Sequence, residues 1–125
     1  MAGKIIADQI QHSTAGSLDT SYVVNGSAKA WVNFDGTGTI AARDSLNLSS
    51  LNDDGIGLYT VTVSSAFSND DFSTAGAGGE NSGGGNRMLG LRTTSTTTKG
   101  LRGFSTSSSA VDLAEVCIQV TGDLA

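Results

Sequence analysis

"KAWVNFDGTGTIAARDSLNLSS" runs from Lys29 to Ser50, and its reading decides the fold. With Ala28 included, Ala30, Val32 and Phe34 share one face, while Lys29, Trp31 and Asn33 share the other. A period of two marks a half-buried β-strand, not a helix. Asp35-Gly36 then breaks the alternation, and "TIAAR" leads back. Asp-Gly between alternating apolar residues is a hairpin signal. The same letters, Gly36 to Ala41, also match a dinucleotide fingerprint of the form GxGxxA. That chemistry needs a helix N-terminus after the glycines to hold a pyrophosphate. The residues after these glycines read as strand instead, with Leu46 and Leu48 on one side of "RDSLNLSSL", so the hairpin reading prevails.

The pattern recurs outward from that stretch. "NDDGIG" (Asn52–Gly57) reads as the next turn, and "LYTVTVSS" comes after it with Tyr59, Val61 and Val63 on one face. In "EVCIQVTG", Val116, Ile118 and Val120 point inward, Gln119 and Thr121 outward, and Cys117 is expected to be a buried thiol. Shorter strands are predicted at Ser21–Val24, Phe72–Ala75, Met88–Thr94 and Gly100–Ser105. The Thr-rich run Thr93–Thr98 suits an exposed strand. Eight or nine strands with turns every 8–12 positions predict an all-β, antiparallel, jelly-roll-like β-sandwich. The chain lacks proline, which suits continuous ladders because proline removes a ladder donor.

At 125 residues the chain is expected to form one sandwich domain over 13–125. Residues 1–12 read as an N-terminal arm whose Ile5, Ile6 and Ile10 need cover, from the domain's own sheet or a neighbouring subunit. Gly76–Asn86, with six glycines in eleven residues, reads as a flexible surface loop. A hydrophobic fraction of 38% is low for a lone domain and suits a core completed by a partner subunit. The opening residues lack the apolar stretch of a signal peptide, and no run is long enough to span a membrane. Synthesis in a cytoplasm without membrane insertion is expected.

The charge pattern bounds the partners. A net charge of −5 argues against nucleic acid, because phosphate neutralisation needs clustered cations. Between Glu80 and Asp112, however, Arg87, Arg92, Lys99 and Arg102 occur without one carboxylate. That segment reads either as a solvated basic face or as a dock for an acidic partner. The lone Cys117 permits neither an internal disulfide nor a cysteine-based metal site. "NDDGIG" and "NDDF" could attract a cation, yet they lack calcium-loop spacing, and such residues dominate turns. His12 is the one histidine, and no GxSxG elbow is present. No catalytic residue, metal ligand or cofactor is therefore expected. Trp31, outward if the Ala-Val-Phe face is the core, calls for cover by a subunit, a second sheet or a stacked sugar.

Four segments in order carry a resemblance: "GSAKAWVNFDGTGT" (Gly26–Thr39), "RDSLNLSS" (Arg43–Ser50), "DDGIGLYTV" (Asp53–Val61) and "VCIQVTGDLA" (Val116–Ala125). Together the run Ser13–Phe67 and the last ten residues resemble a module of tailed-bacteriophage virion structural proteins, where it often closes a tail fibre or another appendage. The resemblance implies a homotrimeric, β-rich virion protein and carries over no catalytic residues. The module begins almost at Met1 of this sequence, so a fibre shaft before it is not expected. The expectation is a small trimeric capsid decoration (cement) protein contacting the major capsid protein or another virion protein. The alternative is a tail-fibre or head-fibre domain that recognises host surface glycan. Candidate interface residues are Ile5, Ile6, Ile10, Trp31, Arg87, Arg92, Lys99 and Arg102.

Overall fold

The computed structural model describes residues 3–80 and 85–125 of the chain. Among the described residues, ten strands and one short helix succeed one another in order. A hairpin of β1 (Gln9–His12) and β2 (Gly16–Asp19) leads into α1 (Thr20–Gly26). The sandwich then runs through β3 (Ala28–Asp35), β4 (Ala41–Leu46), β5 (Leu48–Gly55) and β6 (Leu58–Val63). It continues with β7 (Ser73–Gly79), β8 (Arg87–Thr94), β9 (Thr98–Ser105) and β10 (Glu115–Thr121). One sheet has the order β4-β3-β10-β7 and the other β5-β6-β9-β8, with antiparallel pairing throughout. The antiparallel sandwich expected from the alternation is present, with ten strands instead of eight or nine, eight of them in the two layers.

The inner faces are those the alternation picks out. Ala30, Val32 and Phe34 of β3 meet Val116, Ile118 and Val120 of β10, and across the layers Tyr59, Val61 and Leu101 close the core. Phe34 and Tyr59 pack edge to face with ring centroids 5.3 Å apart, a geometry that aligns one ring's positive edge with the other's negative face. The Tyr59 hydroxyl accepts from the Leu113 N–H at 2.8 Å and donates toward the Gly36 carbonyl at 3.4 Å. Gly36 makes this possible, since a Cβ there would stand 2.5 Å from that hydroxyl. The expected Asp-Gly hairpin thus does more than turn the chain; it leaves room for the core tyrosine. Asp35 shapes the same turn by accepting from the Thr37 N–H and hydroxyl. Those two bonds, more than nearby Arg43, hold its carboxyl below the ordinary range against the opposing effect of burial.

Several local expectations are corrected. Leu46 and Leu48 do not share a face: Asn47 between them has φ 57°, which turns the chain from one sheet into the other. Its side chain accepts from the Ser65 N–H at 2.7 Å and donates to the Ser65 carbonyl at 3.2 Å, fixing the corner. The glycine run does not begin a loop at Gly76, because β7 extends through Gly79. Gly76 and Gly78 pair with Ile118 and Val116, and side chains of Leu89 and Leu113 occupy the space their Cβ atoms would need. Asn81–Gly84 of that run lie outside the described residues. Thr93–Thr98 is not one exposed strand; β8 ends at Thr94, and Ser95–Thr97 turn into β9.

The N-terminus departs furthest from expectation. Ser21–Val24 is helix, not strand, and the arm expected over residues 1–12 gives way to a hairpin-helix module reaching Gly26. Thr20 ties the module together, its N–H bonded to the Asp8 carbonyl at 2.9 Å and its hydroxyl to the Ala7 carbonyl at 2.8 Å. Gln9 and Asp19 bond across the hairpin at 2.6 Å. Every core residue lies between Ala30 and Val120, so the module contributes nothing to the core.

Candidate functional site: two uncovered apolar surfaces

The module is amphipathic without a partner. Ile10 and Leu18 stand opposite each other in the hairpin. Ile10 joins Ile5, Ile6, Val23 and Val24 in lining a shallow groove, Leu18 lies outside it, and all six are exposed; Ile5 is 94% exposed and Ile6 83%. Burial of such side chains stabilises by about 1.5–3 kcal/mol each, so the isolated chain forgoes that gain. Among the described residues, none of the module's hydrogen bonds reaches past Lys29.

Trp31 lies on the outer face of the β4-β3-β10-β7 sheet, half-buried, flanked by Leu46 of β4 and Gln119 of β10. Cys117 lies on this same outer face, not in the core; the inward positions of β10 are its neighbours Val116 and Ile118. The Asn33 side chain donates to Cys117 Sγ at 3.1 Å and to Glu115 at 3.3 Å. Partial burial, then the Glu115 carboxylate, pushes the pKa of the Cys117 thiol up. Ala75 and Ala77 of β7 extend the face, and their small side chains leave it flat. Arg43 reaches across one end, bonding the Asn33 side chain at 3.0 Å and the Ala114 carbonyl at 2.7 Å.

The basic segment is not assembled into one face. Arg87 is bridged to Glu80. Arg92 reaches Asp54 at 3.4 Å, where Thr60 also donates. Arg102 lies over the Phe104 ring at 4.9 Å and stays exposed. Lys99 is the correction: at 7% exposure it points into the sandwich, opposite Val61. Its ammonium lies 4.3 Å from the Phe72 centroid and donates to the Thr94 hydroxyl. Alternation explains this, since Lys99 shares its face with buried Leu101. Burial without a carboxylate pushes its pKa down. The sequence groups four cations by charge, whereas the strand period separates them.

No family model, curated protein or solved structure matches the chain.

The remaining polar clusters serve the fold. His12 uses Nδ1 to accept from the Thr14 and Ala15 N–H groups in the β1–β2 turn. Asp53 caps its own turn at the Gly55 N–H, and the Asp71 N–H donates to the Asn69 side chain. Among the described residues no group of three or more His, Cys, Asp or Glu is placed to hold a metal ion. No helix is long and apolar enough to cross a membrane, again among the described residues.

Proposed function

We propose that the chain is a non-enzymatic structural protein of a tailed-bacteriophage virion that works as a homotrimer, as a small decoration protein on the outer head surface. The single observation that supports the assembling part is the uncovered module. A compact monomer of 12.6 kDa exposes roughly 6,200 Å² by surface–mass scaling. This chain exposes 7529 Å². The excess of about 1,300 Å² exceeds the roughly 800 Å² that each partner gives to a standard interface. The virion assignment draws its support from the motif resemblance over Ser13–Phe67 and the C-terminal ten residues. Synthesis in the host cytoplasm and delivery to the particle go with that assignment, with the major capsid protein as the partner underneath.

A second reading, a fibre domain that binds host surface glycan, is favoured by one observation. Trp31 shows an accessible aromatic surface beside the Gln119 and Asn33 amides, a combination suited to stacking on a sugar ring and bonding its hydroxyls. Quantitative mass spectrometry of purified particles separates the two. A copy number comparable to that of the major capsid protein is expected for decoration. A handful of copies, with cell binding lost in Trp31→Ala, would overturn decoration in favour of the fibre.

A further inference from the structure

We propose that the Gly3–Gly26 module of one copy docks on the Trp31 face of the next. This rests on the self-assembling reading above and names the surfaces it uses. The chain presents two uncovered apolar surfaces of different shape. One is the module groove lined by Ile5, Ile6, Ile10, Val23 and Val24. The other is the flat outer sheet face with Trp31, Leu46, Cys117, Ala75 and Ala77. Neither covers the other within one chain: only Ser27 separates α1 from β3, and the module's own bonds end beside that junction.

Symmetry favours joining unlike patches. A patch that meets itself closes a dimer, whereas two different patches on each copy close a ring, from a reciprocal dimer upward, or run on as a filament when the rotation does not close. A homotrimer needs the second kind of contact, which the module groove and the Trp31 face would supply. Charge agrees. Lys4 stands beside Ile5 and Ile6 in the module. Asp44 and Glu115 edge the Trp31 face, and among the described residues no cation bridges either one. Lys4 of one copy would meet that acidic edge, and opposite charges across a contact fix its register. Shared between the two patches, the surface excess comes to roughly 650 Å² each, somewhat under the roughly 800 Å² per partner of a standard interface.

The sole cysteine and sole tryptophan both lie on the proposed acceptor face, which supplies the test. Ile10→Cys in the full chain, treated with a short bismaleimide at mildly alkaline pH, should give covalent dimers and trimers on a denaturing gel. The unaltered chain and the Ile10→Cys/Cys117→Ser double variant should give none. Products from the unaltered chain would mean that two Trp31 faces meet, and products from the double variant that two modules meet; either overturns the proposal. Ile10→Asp provides a second readout: dissociation with a red shift of Trp31 emission is expected. Dissociation without a shift would overturn the docking while leaving self-assembly intact. A wild-type chain that is monomeric at every concentration would overturn both.

Discussion

Tyr59 shows how one side chain can join both layers and a loop. Its ring fills the core beside Phe34, and its hydroxyl satisfies the buried N–H of Leu113. Burial, the largest influence, raises its pKa, so it remains a neutral donor and acceptor throughout the physiological range. Tyr59→Phe keeps the packing and orphans that N–H, a loss of about 1–3 kcal/mol. Urea unfolding should show a lower midpoint at unchanged slope; an unchanged midpoint would mean that Leu113 finds another partner. Lys99 makes the opposite case. Its folded pKa lies below the unfolded value, so the folded state binds fewer protons in the window between the two. Stability therefore rises as pH climbs through the folded pKa toward about 10.4, and below that window the full cost of burying the charge is present. Lys99→Met, of similar volume, should raise the melting temperature by ~3–5 °C at pH 7, corresponding to about 1 kcal/mol. The gain should shrink in alkaline buffer, and a destabilised variant would show that the Phe72 contact outweighs the burial cost. The position of Lys99 is legible in the sequence, because Leu101 two residues on shares its face. Its charge groups it with the arginines instead.

At the scale of elements, strands with a clean period of two are legible in the sequence, and segments shaped by contacts far along the chain are not. β3, β6 and β10 bury the alternate residues that the sequence nominates, except Ala28 and Val63 at strand ends, which are only partly buried. β7 is only partly legible because glycine carries no periodic signal. Its inward Gly78 leaves room for Leu113, and Gly76 for the Cys117 carbonyl, Ile118 and Leu89, all distant in sequence. The helix α1 escapes a sequence reading for a related reason. Seven residues with adjacent Val23 and Val24 have little intrinsic helicity. Asp19, in N-cap position, gives its carboxylate to Gln9 instead of capping. Cys117 is misleading because an apolar neighbourhood in sequence is not a face; the strict alternation of β10 turns it outward. The corner at Asn47 decides which sheet receives β5. Asn47→Ala removes both bonds to Ser65 and leaves a non-glycine residue without side-chain support at positive φ. A loss of about 1–3 kcal/mol is expected from chemical denaturation. Asn47→Gly should recover part of it by relieving the backbone alone. Equal losses in the two variants would show that the bonds, not the φ angle, carry the corner.

The molecule as a whole has two parts with opposite needs. The sandwich holds all the buried apolar side chains, while the module keeps its own exposed. Residues Ile5, Ile6 and Ile10 are legible as side chains needing cover. The module's extent to Gly26 is not, since it depends on Thr20 bonding back to Asp8. The arginines of the middle segment are largely occupied within the chain by Glu80 and Asp54, which leaves apolar contact as the main force for assembly. Assembly should then persist at high salt, because burial of apolar area does not depend on screened charge. Removing residues 1–26 should leave the sandwich folded, with an unchanged β-type circular dichroism spectrum. The most direct measurement is sedimentation equilibrium of the full chain beside that truncation, at low and at high salt. The predicted result is a mass three times the 12.6 kDa of the chain at both salt concentrations, falling to a single chain without the module. A full-length monomer, or a trimer that survives loss of the module, would contradict it.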